Sequence, residues 1–260
     1  MPGELRVDRP AAHVARLTFQ NRAKRNALDH AILDGIAETV PALDARCLLL
    51  TAEGPVFSAG YDIGDLPREE FAERAERLVA HPFHAAIRAL EAYPFPAVAA
   101  LNGHAIGGGL ELALSCDLIV AAESARVGMP PAKLGLIYSH TGIRKFIDVV
   151  GVMRTRQLFF TGRNVSAPQA LEWGLVTEVV PDDRVAERAV ELAAEIAANA
   201  PLSLQGNKRV IRALLAAEGD VDPATERELV ELRESCFASE DFFEGVRAFA
   251  EKRRADWQGR

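Results

Sequence analysis

Pro96-Ala97-Val98-Ala99-Ala100-Leu101-Asn102-Gly103-His104-Ala105-Ile106-Gly107-Gly108-Gly109-Leu110-Glu111-Leu112 is the stretch on which the reading of this chain turns. Residues 96–101 form a short apolar run of strand length, the kind buried on both faces of a sheet. Three glycines follow, and then a helical pattern from Gly107 to about Ser115. Glycine lets the backbone take a positive φ and lets another atom approach closely. The first turn of a helix carries N–H groups without intrahelical partners. Together these suit an anion, or an oxygen that becomes negative during a reaction. The same glycines would also serve a tight strand–helix turn with no ligand. The spacing is neither the G-x-G-x-x-G dinucleotide fingerprint nor a phosphate loop.

Working outward, Cys47-Leu48-Leu49-Leu50-Thr51-Ala52 and Asp117-Leu118-Ile119-Val120-Ala121-Ala122 read as two more buried strands. The first is soon followed by another small, glycine-containing turn, Phe57-Ser58-Ala59-Gly60-Tyr61-Asp62-Ile63-Gly64-Asp65-Leu66. Two such turns, each after a core strand, can aim two backbone N–H groups at one point, as an oxyanion hole requires.

Residues 5–7 and 14–19 look like a hairpin around Pro10-Ala11-Ala12-His13. Residues 27–40 have helical apolar spacing. A mostly helical stretch, punctuated by Pro67 and Pro82, runs to about Ala92. Alternating strands and helices imply right-handed crossovers and a mainly parallel sheet. Ser166 reads as the N-cap of a helix over 167–173 and Gly174 as its stop. Residues 185–199, 201–217, 224–238 and 241–256 read as helices. The fold class is therefore α/β, with a core over residues 1–195 and a helical C-terminal region over 196–260.

The bulk properties narrow the function. The 260 residues carry a formal charge of −7, which argues against nucleic acid as the main partner. No apolar run has the length of a membrane helix, and the N-terminus lacks a signal-peptide pattern. Cys47, Cys116 and Cys236 are scattered and odd in number, so they are expected to be reduced packing residues of a cytoplasmic protein. No metal-ligand spacing is present.

Several segments, in order, resemble the crotonase, or enoyl-CoA hydratase/isomerase, superfamily over nearly the whole chain. They are Asn21-Arg22-Ala23-Lys24-Arg25-Asn26-Ala27-Leu28, residues 57–66, residues 102–112, residues 166–176 and residues 244–253. The resemblance implies a spiral of ββα turns, a trimer or dimer of trimers, and an acyl-CoA thioester substrate, with coenzyme A arriving as part of it and no other cofactor. It implies that the N–H groups of Tyr61 and Gly108 bind the thioester oxygen. It also implies that Ala59, Asp62 and Ile63 line the adenine pocket. Lys24 or Arg25, with Phe249 and Lys252 of a neighbouring subunit, would contact the nucleotide.

Hydratases of this kind carry two glutamates. One matches Glu111; Pro131 occupies the place of the other. Hydration needs one proton delivered and one water activated, and proline can do neither. The segment Leu136-Ile137-Tyr138-Ser139-His140-Thr141-Gly142 is similar to that of methylmalonyl-CoA decarboxylases, although those carry a histidine where Tyr61 stands. The leading expectation is thus decarboxylation of a short malonyl-type thioester, with Tyr138 orienting the carboxylate and water, Tyr138 or His140 returning the proton. The alternative is an enoyl-CoA hydratase or isomerase using Glu111 with Tyr138 or His140. Further alternatives are a thioester or C–C hydrolase and a non-catalytic or RNA-binding relative. His104 reads as a satisfied structural histidine. His81 and His84 read as a solvated helix face, with a place in the acyl pocket as the alternative.

Overall fold

The computed structural model describes residues 2–62, 82–134, 137–216, 222–225, 227–228, 231, 239–251, 253 and 255–260. The hairpin pairs β1 (Glu4–Ala11) with β2 (Val14–Gln20) antiparallel. Asp29 caps α1 (His30–Thr39) by accepting the Ile32 N–H at 3.0 Å. Then come β3 (Cys47–Ala52), β4 (Val56–Ser58) and α2 (His84–Ala92). The glycine-rich stretch builds β5 (Ala97–Leu101), β6 (His104–Ile106) and α3 (Gly108–Leu114). It is followed by β7 (Leu118–Ala122), β8 (Arg126–Gly128), α4 (His140–Thr161), β9 (Val165–Ser166) and α5 (Ala167–Trp173). The chain closes through β10 (Glu178–Val180), α6 (Val185–Ala197), α7 (Pro201–Ala216) and α8 (Glu240–Glu251).

The main sheet has the order β1-β2-β3-β5-β7-β10, parallel from β2 onward. A second sheet, β4-β6-β8-β9, stacks the short strands that follow β3, β5 and β7, with β9 antiparallel at its edge. Sequence reading missed this sheet, because strands of two or three residues show no period. Successive long-strand, short-strand and helix units make the spiral of ββα turns. The central strands β3, β5 and β7 are buried on both faces, with Leu48, Leu50, Val98 and Ala99 at no exposure. Fully burying Leu48, Leu50 and Val98 contributes about 1.5–3 kcal/mol for each. The N-terminal helix begins at residue 30, not 27, because Leu28 is drawn into a backbone bridge described below. The Ser166 cap and Gly174 stop are as expected: Ser166 Oγ accepts the Gln169 N–H, and Gly174 has φ 80°. α6 packs on β3, β5 and β7, and residue 195, the expected boundary, falls in its last turn.

Cys47 and Cys116 are buried free thiols. Burial pushes the Cys47 thiol up to about 12 and raises Cys116 as well, so both are poor nucleophiles. Cys236 lies outside the described residues, as does most of the helix expected over 224–238. Among the described residues no helix is long and apolar enough to cross a membrane, and no cluster of three metal-ligating side chains occurs.

Candidate active site

The 21–28 segment straps the second turn in place. Asn26 takes a left-handed backbone, φ 54°, which its short polar side chain tolerates. Its amide donates to the Glu53 and Val56 carbonyls, both at 2.7 Å, and its Oδ1 accepts the Asn21 N–H at 2.7 Å. Ala59 N–H then donates to Arg25 O, Leu28 N–H to Gly60 O, and Asp62 N–H to Leu28 O. In extended backbone, peptide groups alternate sides. With the Gly60 carbonyl and the Asp62 amide bound to Leu28, the Tyr61 N–H is turned the other way.

That other side is where the first turn lies. A β-carbon built on Gly60, whose φ is 103°, would sit 3.1 Å from the Ile106 carbonyl oxygen and 3.7 Å from the Gly108 nitrogen. Gly107 adopts φ 55° and anchors its N–H on Gly128 O at 2.8 Å. Gly108 begins α3, so its N–H has no intrahelical acceptor. A β-carbon at Gly109 would strike the Ser58 side chain at 2.5 Å, so the two turns meet with no room to spare.

One helical turn on stands Glu111, 2% exposed. Tyr138 Oη donates to Glu111 Oε2 at 2.5 Å, and the Tyr61 and Tyr138 hydroxyls lie 3.0 Å apart. Tyr138 is held edge-on by Phe159, with ring centres 5.7 Å apart, and Tyr61 edge-on by Phe83 at 4.8 Å. Burial raises the Glu111 carboxyl above its ordinary value, offset by the Tyr138 hydrogen bond and by the neighbouring Lys145 and His84 side chains. Burial also drives both phenols upward, so each remains a neutral hydroxyl at physiological pH.

Tyr61, Gly108, Glu111 and Tyr138 thus come together. His140 does not join them: it is the exposed first residue of α4, behind the Ser139 cap. Lys24 and Arg25 are exposed at the strap, and Lys24 Nζ pairs with Asp62 at 2.7 and 3.0 Å. Ala59 is exposed beside them. Ile63, Lys252 and the side chain of Phe249 lie outside the described residues, as does His81. His104 Nδ1 accepts the Arg126 N–H at 3.1 Å, a structural role as expected.

Two features escaped the sequence reading. Tyr61 brings its side chain into the cluster, its hydroxyl beside that of Tyr138. Behind Glu111, Ser115 Oγ donates to the Glu111 carbonyl at 2.8 Å and accepts from Lys145 Nζ at 2.6 Å. Lys145 in turn pairs with Glu91 at 2.7 Å. The reading of His84 as a solvated side chain is also corrected, because its Nε2 is shielded from solvent.

The family model described as enoyl-CoA hydratase/isomerase matches residues 9–260. The 2,3-dehydroadipyl-CoA hydratase of Escherichia coli (strain K12) is 34% identical over 255 residues, covering 95% of this chain and 96% of that protein. Carnitinyl-CoA dehydratase of Salmonella typhi is 33% identical over 253 residues, covering 92% of this chain and 93% of its own. Among solved structures, an enoyl-CoA hydratase from Bacillus anthracis superimposes with a TM-score of 0.89 at 31% identity, covering 99% of this chain and 100% of that one.

Proposed function

The chain belongs to the enoyl-CoA hydratase/isomerase family, within the crotonase superfamily of enzymes, and on that premise we propose that it moves a proton at the carbon beside the thioester of an enoyl-CoA. The reaction is hydration or isomerisation, with Glu111 as the proton carrier and Tyr138 as its partner. The observation that carries this reading is the short Tyr138–Glu111 hydrogen bond on a buried carboxyl. It favours Tyr138 over His140 as that partner.

The chemistry follows from the arrangement. The Tyr61 and Gly108 amides would hold the thioester oxygen while negative charge gathers on it; one such donor contributes roughly 3–4 kcal/mol to the transition state. A carboxyl raised by burial can both give and take a proton at the adjacent carbon. Tyr138, fixed as a neutral donor, keeps one carboxyl oxygen occupied and leaves the other for the substrate.

Decarboxylation, the leading sequence expectation, finds no support among the relatives, whose names are those of hydratases, dehydratases and isomerases. A scaffold without activity and an RNA-binding role are unsupported too. This reading retains Lys24 near the coenzyme A nucleotide. It also retains the trimer or dimer of trimers, which would cover Met153 and Phe160 of α4, 73% and 74% exposed.

The test is incubation with crotonyl-CoA, a 3-enoyl-CoA and methylmalonyl-CoA in deuterated water. The expected result is turnover of an enoyl thioester with deuterium entering beside the carbonyl. Turnover of methylmalonyl-CoA alone would reject the reading.

A further inference from the structure

Pro131 supplies no titratable group, and the structure holds an unused one elsewhere. His84 opens α2, and its Nε2 is shielded from solvent with no hydrogen-bond partner among the described residues. An unpaired buried ring nitrogen is costly, and native structures seldom keep one without a use.

Two anchors fix how α2 lies. His84 and Glu91 are seven residues, two helical turns, apart and share one face of α2. At the far end of that face, Glu91 is tied through Lys145 to Ser115, just past the end of α3. At the near end, Phe83 packs edge-on against Tyr61, whose ring lies over Gly108 at the start of α3. So α2 runs in the same direction as α3, with His84 on the face that Lys145 ties to it. A positive charge on His84 is near enough to favour the Glu111 carboxylate.

We propose that His84 is the catalytic residue facing Glu111 across the acyl chain, and that its Nε2 binds the water that adds to the β-carbon. This rests on the enoyl-CoA reading above and assigns its hydration step. The water oxygen bonds to the β-carbon as the carbon–carbon π bond opens, and the electron pair moves to the thioester oxygen. The water proton passes to His84 Nε2. The enolate collapses to the carbonyl and takes the Glu111 proton at the α-carbon. Water has been added, and His84 returns its proton to Glu111 through solvent.

The test uses His84→Leu and His84→Gln in the full-length enzyme, with three readouts: crotonyl-CoA hydration, exchange of the butyryl-CoA α-proton in deuterated water, and calorimetric binding of 3-hydroxybutyryl-CoA against butyryl-CoA. His84→Leu should slow hydration about 100-fold or more, and slow α-proton exchange, which needs no added water, far less. It should also abolish the preference for the hydroxylated ligand, while His84→Gln, which keeps a hydrogen-bonding group, should retain part of that preference. Hydration at the wild-type rate by His84→Leu overturns the proposal. So does an equal loss of both reactions, which marks a structural role. Wild-type enzyme that exchanges the α-proton without hydrating crotonyl-CoA refutes the role of His84 and leaves the enoyl-CoA reading standing. Wild-type enzyme that does neither refutes both.

Discussion

The ring of Tyr61 lies against the backbone of Gly108: a β-carbon built there would come 2.6 Å from ring atom Cε1 and 2.8 Å from Cζ. The ring cannot easily retreat, because Phe83 holds its edge and Tyr138 its hydroxyl. Gly108→Ala should therefore displace the ring, cost about 1–3 kcal/mol of stability as overpacking does, and lower kcat/KM. Tyr61→Ala removes the obstacle but also a packed ring, so Gly108→Ala should cost less stability in a Tyr61→Ala background than in the wild type. Thermal unfolding of the variants checks this. A Gly108→Ala protein as stable and active as wild type would show that the ring has freedom to move.

Glu111→Gln separates catalysis from stability. It removes the proton carrier, so kcat should fall about 100-fold or more. It also removes a charge that burial disfavours. The sign follows from proton linkage: the folded-state carboxyl titrates above the unfolded one. The folded state thus holds the extra proton, and stability falls as pH rises from the unfolded value through the folded one. Above that window Glu111→Gln should be the more stable protein, by about 2–4 °C in Tm for each kcal/mol recovered. Below about pH 4, near the ordinary carboxylate range, the two should converge. Melting curves across pH read it, and a Gln variant less stable at every pH would contradict the argument.

Local features were legible in the sequence and long-range ones were not. β3 has the bounds its apolar run marks, and the Ser166 cap and Gly174 stop are local chemistry. Gly108 and Glu111 sit within one turn of each other, so their joint role could be read from spacing. Tyr61 and Tyr138 meet across 77 residues, and Lys145 reaches back 30 residues to Ser115. No period or motif announces such pairs, because register between distant elements is set by packing. The short strands of the second sheet were invisible for a related reason: each exists only because its neighbours stack on it.

Lys24 tests the coenzyme A expectation. Its ammonium is half exposed and pairs with Asp62, one residue beyond Tyr61. A surface pair of this kind adds at most about 1 kcal/mol to stability, so Lys24→Ala should melt near wild type. If the ammonium also meets a phosphate of the nucleotide, KM should rise several-fold while kcat holds, and added salt should weaken wild-type binding more than that of the variant. An unchanged KM and salt response would move the nucleotide elsewhere.

Tyr138→Phe and Tyr61→Phe should differ, although the two hydroxyls lie side by side. Tyr138 donates directly to Glu111 and stabilises its charged form. Without that donor the carboxyl, already raised by burial, should titrate higher still, so the acid limb of α-proton exchange should move to higher pH. A hydrogen bond to a charged group contributes about 1.5–3 kcal/mol, which sets the scale of the loss at roughly tenfold or more in the exchange rate at neutral pH. Tyr61→Phe leaves the Tyr138–Glu111 bond intact and removes only a contact between neutral hydroxyls, so its acid limb should stay near that of wild type. Equal shifts in the two variants would mean that the hydroxyls act as one relay and that Glu111 is held from Tyr61 as much as from Tyr138.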